Sequence, residues 1–446
     1  MNFDINKSVI MKTVFACKTS GDLESAKTLL DIVGKYSYDV ADLDEIAYLQ
    51  NEIKDYEGSV KNLKKCLSVA TSPEQMYSIR ANMAKIYNHL NDPDNSLIQS
   101  NANVEMLEDN QIDFNTQMEI AFSHYLKGEY TTSEKMMREL ITIDDIPDNI
   151  KGRIQYNLGS YDLEAGKFKE GMKGFIEVGH KINIWTHKEI EGVEWWNGEQ
   201  VEGKQVIVLG EGGIGDEIIN VRFMNNIKKM GMEPIWVTGH SQLVEPFNRN
   251  GYKTVTNIND IEERENTFQV MAMFLPIVLD LDKNELWDGA YIKPSQEFID
   301  KWSKILPEGR KLGVKWSGNP AYDQDLHRSL PLSFIENLEF KGTKINLQLE
   351  EEFNQEWLFN CGDKIENLED TLAIIWLCDK VVTSCTSIAH MVGSMGVDGI
   401  VCPPIASYYV WLGDSKWYDD NLSVYRQTKH KDWDDVYCKV QKELFG

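Results

Sequence analysis

The sequence predicts an α + α/β protein. It reads as an α-helical solenoid over residues 1–182, a tryptophan-rich junction at 183–200, and two Rossmann-like doubly wound units at 201–306 and 307–446. Three observations carry this. One short pattern recurs five times in the first half; a strand runs into a helix through a glycine-rich turn at Val206–Arg222; and strands alternate with helices from there on.

The recurring pattern is a turn residue, an apolar or aromatic anchor, and a small residue three positions later. It appears at Gly21/Leu23/Ala26, Asp55/Tyr56/Ser59, Asp92/Pro93/Ser96, Gly128/Tyr130/Ser133 and Gly166/Phe168/Gly171. The anchors are 33, 37, 37 and 38 residues apart, close to the period of about 34 of tetratricopeptide repeats. The small residue lets paired helices approach, and the anchor fills the gap to the next pair. Units of this kind bury their apolar faces only by stacking, which builds a curved surface suited to recruiting a partner. A spacer or dimerisation arm is the plainer use of the same array. Trp185, Trp195 and Trp196 in the connector predict a packed junction.

The glycine-rich turn reads VIVLGEGGIGDEIINVR. Val206–Leu209 is a buried strand, and the apolar spacing from Ile218 to Ile227 is helical. Gly210, Gly212 and Gly215 match the dinucleotide fingerprint letter for letter. Yet Asp216 follows at the helix N-terminus, where a pyrophosphate would sit and be repelled. The next strand, Pro234–Val237, leads into Thr238-Gly239-His240, with no acidic residue for a ribose hydroxyl. The loop of Gly212, Gly213 and Gly215 is therefore expected to present the Asp216 carboxylate itself. A simple helix cap fits the same spacing.

Further strands are expected at Lys253–Val255, Gln269–Phe274, Leu312–Trp316, Lys344–Leu349, Lys380–Ser384 and Gly399–Cys402, with helices at Gln296–Leu306, Leu368–Cys378 and Ala389–Met395. Alternation of this sort gives parallel sheets with helices on both faces. Polar residues gather at the strand ends: Ser317 and Asn319 after Trp316, then Arg328; Gln348; and Thr386, Ser387 and His390 after Ser384. Free amides at a helix N-terminus with hydroxyls and a guanidinium make an anion site. Taken singly, Thr386 or Ser387 also reads as a helix cap, and Arg328 as a partner of Asp325. Together the four features point to a diphosphate site. Asp280 and Asp282 have the spacing of a metal-binding pair, and alternation would place both on one strand face; in so acidic a chain we count no metal site there.

Composition narrows the function. The net charge of −25 is divided evenly, −12 over residues 1–200 and −13 over 201–446, so neither half is a basic nucleic-acid module. Seven cysteines without close spacing read as free thiols in a reducing compartment. Polar residues break the N-terminal stretch and Pro276 interrupts the longest apolar run, so neither a signal peptide nor a membrane span is expected. The expected location is cytoplasmic.

Several motifs resemble those of tetratricopeptide-repeat glycosyltransferases related to the ADP-heptose heptosyltransferases. They are Trp196-Asn197-Gly198 through Lys204, Glu211 through Asp216, Trp316-Ser317-Gly318-Asn319-Pro320 with Arg328-Ser329-Leu330, Leu347-Gln348, Glu369-Asp370-Thr371, Cys385 through His390, and Trp417-Tyr418 with Arg426-Gln427. The likeness runs in order over residues 195–446. It implies a GT-B pair, acceptor-side domain first (201–306) and nucleotide-sugar domain second (307–446). Residue by residue it implies Asp216 as general base, Arg328 near phosphate, Asp370 near the nucleotide, and Thr386, Ser387 and His390 on the donor loop. The family has Asp-Thr where this chain has Cys385-Thr386, and that aspartate helps hold the sugar, so the donor sugar here is open.

The expected activity is metal-independent, inverting transfer from a nucleotide-diphosphate sugar to an acceptor hydroxyl. No cofactor is expected; the nucleotide sugar is a co-substrate, and the repeats recruit a protein or glycan acceptor. The rival is a non-catalytic repeat adaptor with a degenerate sugar-nucleotide fold.

Overall fold

A computed structural model describes residues 7–37, 39–109, 111–184, 188–261, 266–320, 322, 324–348, 355–419 and 421–445. Trp185 and Leu349, named in the expectations above, lie outside them. The chain forms two units, one of residues 1–142 with 320–327 and one of residues 143–319 with 328–446.

The first unit is built of four helical hairpins: α1 (Lys7–Ser20) with α2 (Leu23–Tyr36), α3 (Val40–Glu52) with α4 (Tyr56–Val69), α5 (Pro73–His89) with α6 (Pro93–Val104), and α7 (Phe114–Leu126) with α8 (Tyr130–Leu140). Each turn is made the same way. The residue two before the anchor is left-handed: Gly21, Lys54, Asn91 and Gly128 have φ of 81°, 62°, 53° and 80°. In three of the four hairpins an aspartate then caps the second helix, Asp22 to Ser25 N–H, Asp55 to Gly58 and Asp92 to Asn95; such caps contribute about 1 kcal/mol each. The small residues Ala26, Ser59, Ser96 and Ser133 are fully buried. There Ser59 and Ser133 donate to the carbonyls of Ala47 and Ala121 on the facing helix, so the close approach is hydrogen-bonded as well as packed.

A fifth hairpin, α9 (Asp148–Glu164) with α10 (Phe168–Met172), continues through the wider turn Lys173–Glu177 into α11 (Val178–Lys181). It belongs to the second unit. Its helices meet glycine to glycine: a Cβ on Gly159 would lie 2.5 Å from Phe175 N, and one on Gly171 2.7 Å from Leu163 N. Its anchor Phe168 and its Phe175 join the core of the sheets, against Trp417 and Tyr409.

Two all-parallel sheets complete this unit. The first contains β1 (Glu194–Trp195), β2 (Gln205–Leu209), β3 (Glu233–Val237), β4 (Thr254–Val255) and β5 (Thr267–Met271), in the order β1-β5-β2-β3-β4. The second contains β6 (Lys311–Lys315), β7 (Thr343–Asn346), β8 (Leu358–Phe359), β9 (Lys380–Ser384), β10 (Gly399–Cys402) and β11 (Leu422–Val424), in the order β11-β10-β9-β6-β7-β8. The predicted class holds: helical repeats precede two Rossmann-like sheets. In the first sheet the strand order reverses beside β2, and in the second beside β6. Crevices open at the carboxyl ends of the strands at such points.

In the junction Trp195 lies within the two-residue strand β1, while the indole of Trp196 is buried and donates to Glu199 O at 2.9 Å. One expectation changes. Asp280 and Asp282 do not share a strand. The chain turns helical at Leu275–Val278, Asp280 is left-handed at φ 51°, and its carboxylate pairs with Lys169 at 2.6 Å.

Candidate active site

The loop after β2 folds a carboxylate back onto its own backbone. Gly212 is left-handed (φ 73°), and a Cβ there would meet Asp216 Oδ2 at 2.5 Å. The following helix, α12 (Ile214–Val221), therefore begins before Asp216 and not after it. Gly213 is its cap residue, and Gly213 N–H donates to Asp216 Oδ2 at 2.6 Å. The other oxygen, Oδ1, accepts the hydroxyl of Tyr408 from the loop after β10. The Asp216 side chain thus closes a capping box with Gly213 through one oxygen and meets the second sheet through the other. Loss of solvent raises the Asp216 pKa above the ordinary carboxylate value; the Tyr408 and Gly213 hydrogen bonds pull it down, and Glu211 pushes it up.

The second sheet meets this loop at Gly215. A Cβ there would lie 2.8 Å from His390 Cδ2 and 3.4 Å from Ser387 Cα. The helix Ser387–Met395 thus starts against the start of α12, which brings Ser387 and His390 to the glycine loop. Thr386 caps that helix without a side-chain bond to its backbone; its hydroxyl lies 3.3 Å from Thr383 Oγ1. Arg328 donates from Nη1 to the Cys385 carbonyl at 3.2 Å, joining the guanidinium to the same loop.

His390 is packed on both faces of its role. Its ring stacks on Trp411 at 5.2 Å and 8°, and Nδ1 lies 3.0 Å from the Tyr418 hydroxyl. Burial, with the nearby Arg222 charge, pushes its pKa down to about 3, so it is neutral. Trp411 Nε1–H also donates to Cys385 Sγ at 3.1 Å, and burial raises that thiol to about 11. Cys385 is therefore an uncharged acceptor at the position where the resembled family carries an aspartate.

Ser317 and Asn319 follow β6, one strand over from β9, and Gln348 follows β7, two strands over. Gln348 is buried, its Oε1 accepting Ser317 N–H at 3.2 Å, which braces the loop after β6; Asn319 is exposed. Asp370 is placed apart from these in its bonding. It is fully buried in the first turn of the helix Leu368–Trp376, with Oδ1 on Lys301 Nζ (2.8 Å) and Trp302 Nε1 (2.7 Å) and Oδ2 on the N–H groups of Glu366 and Asn367. Next to it Glu369 takes Arg249 and Ser295 N–H. These two carboxylates tie the helices Val244–Arg249 and Gln296–Ser303 to the helix Leu368–Trp376 of the second sheet.

Residues outside the sequence expectations complete the site. Tyr408 follows no motif and is found only by its contact with Asp216. Glu211, inside the glycine motif, is buried, accepts Met273 N–H at 3.0 Å and pairs with His180 of α11 at 3.1 Å. His240 Nε2 lies 3.1 Å from Gly212 O, and Lys188 donates to Gly210 O at 2.7 Å. Arg222, at the end of α12, is buried among Trp287, Tyr291 and Tyr418, with its charge 5.6, 4.6 and 4.7 Å from the three ring centres. It donates to the carbonyls of Ile219, Leu286 and Trp417 and to the Tyr291 hydroxyl. Among the described residues no helix is long and apolar enough to cross a membrane.

No protein-family model and no curated protein matches the chain. Solved structures do. The E. coli ADP-heptose LPS heptosyltransferase II is similar over 54% of this chain and 98% of its own, at 10% identity and a TM-score of 0.40. The O-GlcNAc transferase of Thermobaculum terrenum is similar over 98% of this chain and 92% of its own, at 9% identity and 0.36. A tetratricopeptide repeat protein from Parabacteroides merdae is similar over 40% and 66%, at 14% identity and 0.29. The solved structures it is similar to thus include tetratricopeptide-repeat proteins and glycosyltransferases.

Proposed function

We propose that this protein is a glycosyltransferase that moves a sugar from a nucleotide-diphosphate sugar to an acceptor hydroxyl. The observation that carries the reading is the meeting at Gly215: the helix that bears the Asp216 carboxylate begins against the start of the other sheet's helix Ser387–Met395, with the Arg328 guanidinium bonded to the adjoining Cys385 carbonyl. Asp216 takes the proton of the acceptor hydroxyl, whose oxygen attacks the anomeric carbon with inversion as the bond to the diphosphate breaks. The departing charge falls on the backbone N–H groups at Ser387, the hydroxyls of Thr386 and Ser387, and Arg328. Fixed donors aimed at developing charge do the work a metal ion does elsewhere. Neutral His390 offers a hydrogen bond without adding charge. Cys385, uncharged, suits a donor sugar other than the one a carboxylate would hold. The helical hairpins of the first unit recruit a protein or glycan acceptor.

Nucleotide binding tests the reading. Thermal melts with UDP, GDP and ADP, each beside its nucleoside, are expected to show stabilisation by one diphosphate well beyond that by its nucleoside, because ligand bound only to the folded state raises stability. In Arg328→Ala the diphosphate is expected to bind about ten- to a hundredfold more weakly, the worth of a charge-assisted contact, with the nucleoside unchanged. Equal loss for both ligands would remove Arg328 from the phosphate. No stabilisation by any nucleotide, with no hydrolysis of any nucleotide sugar, would favour the adaptor.

A further inference from the structure

We propose that Tyr408 is a positioning residue for the base: its hydroxyl, delivered from the loop after β10 of the second sheet, fixes the carboxylate of Asp216 on the first sheet, so the base is complete only while the two sheets are closed on each other. The inference rests on the reading of Asp216 as base and adds a residue and a condition to it.

The bonding supports a positioning role and not a blocking one. Each carboxylate oxygen accepts along two directions. Oδ2 takes Gly213 N–H and Oδ1 takes the Tyr408 hydroxyl, which leaves a lone pair on each for an acceptor proton. The two donors come from opposite sides of the cleft, one from the loop Asp216 caps, the other from 192 residues further along the chain. The phenol is itself held, its ring edge-on to Tyr409 at 4.5 Å and to Phe175 at 6.5 Å. Phe175 lies in the wide turn after α10, so the last helical hairpin buttresses the tyrosine that steadies the base.

The same hydrogen bond opposes protonation of the carboxylate. Burial, the largest influence, and the neighbouring Glu211 both favour the protonated acid; the phenol's hydrogen bond is the largest of those opposing them, ahead of the N–H groups of Gly213 and of Asp216 itself. Other titratable groups face Asp216 from each side. They are Glu211 with its partner His180, His240 across the Gly212 carbonyl, Tyr409 beside Tyr408, and Cys385 and His390 from the second sheet. His390 titrates at about 3 and Cys385 at about 11, so neither sets an inflection near neutrality.

The test compares wild type with Tyr408→Phe, in which the ring stays and the hydroxyl goes. The probe is the slow hydrolysis of whichever sugar wild type cleaves fastest from UDP-N-acetylglucosamine, UDP-glucose, GDP-mannose and ADP-glucose, with water as acceptor. In the variant, kcat at pH 7 is expected to fall about tenfold, as for loss of a hydrogen bond to a charged group, with KM for the donor unchanged. The acidic inflection of the kcat profile is expected to move to higher pH. A faster variant would make the phenol a blocker, and a uniform loss at every pH with the inflection unmoved would make it merely structural; either result overturns the proposal. Should wild type cleave none of the four sugars, the transferase reading is what suffers, and Tyr408 is then judged by thermal melts of wild type, Tyr408→Phe, Asp216→Ala and the double variant. Coupling between the two positions at pH 7.5 that disappears as the carboxyl protonates at low pH upholds the contact; additive effects at pH 7.5 refute it.

Discussion

The carboxyl edges of the two sheets carry opposite chemistry on the same parallel scaffold. At the first, the turn beyond β2 gathers carboxylates: Asp216 half-buried, Glu211 and Glu217 buried. At the second, the turns beyond β6 and β9 gather donors: Arg328, Thr386, Ser387 and a neutral His390. Two buried carboxylates of the helix that precedes β9, Glu369 and Asp370, are occupied by Arg249, Lys301 and Trp302. A strand order that reverses beside a central strand makes a crevice in each sheet; which residue types follow the strand decides whether the crevice accepts a proton or holds an anion. The pairing of one edge of each kind is what an acid–base group transfer requires.

The largest expected effect comes from erasing the charge on the first edge. Asp216→Asn is expected to lower transfer or donor hydrolysis at least about a hundredfold, the usual worth of a positioned base, while nucleoside diphosphate affinity stays the same or tightens slightly. Rates and calorimetric titration read the two quantities separately. Near-normal turnover would reduce Asp216 to a cap and dissolve the contrast between the edges.

The next effect comes from pushing the edges apart. In Gly215→Ala the added methyl meets the His390 ring, which cannot yield because Trp411 stacks on it and Tyr418 is bonded to it. Overpacking of this kind costs about 1–3 kcal/mol, and the melting temperature should fall accordingly. Gly213→Ala is the matched control: the nearest atom is Asp216 Oδ2 at 3.5 Å and φ is −94°, so its stability should barely change. If both variants melt like wild type, the two helix starts are not in contact.

The smallest effect concerns the neutral ring on the donor edge. The folded-state pKa of His390 is about 3 against an ordinary 6.5, so the unfolded chain takes up a proton before the folded one does. Stability from this group is therefore complete above pH 6.5 and is lost progressively as pH falls from 6.5 toward 3. His390→Gln, which does not titrate, is expected to flatten that slope in melts across the window, relative to wild type. An unchanged slope would mean that the ring protonates freely and the edge is not closed to water.

What the sequence revealed and what it hid have physical causes. The hairpins were legible because each turn needs a left-handed residue, an anchor and a small residue at fixed offsets, and those needs are local. The glycine loop was legible for the same reason. Its internal geometry was not: spacing alone put Asp216 at the helix start, whereas Gly213 caps with its backbone and Asp216 reaches back from the first turn. Strands β1, β8 and β11, of two or three residues, are too short to show a period and exist only because a longer neighbour offers an edge. The aspartates at 280 and 282 were misplaced on a strand because alternation says nothing of a left-handed residue between two elements. Tyr408 was invisible, since nothing in Pro403–Tyr409 distinguishes a tyrosine that packs from one that reaches across a cleft.

Arg222 has a consequence for how this unit comes apart. Its guanidinium is bonded at once to its own helix, to the stretch around Leu286 and Tyr291, and to Trp417 near the end of the chain. Neither sheet can peel away while that cation stays folded, because its departure would strand a charge among aromatic rings and leave three carbonyls without a donor. The two sheets should therefore lose their slowest-exchanging backbone amides together, with one opening free energy for β2 and β9 alike, instead of as two independent foldons.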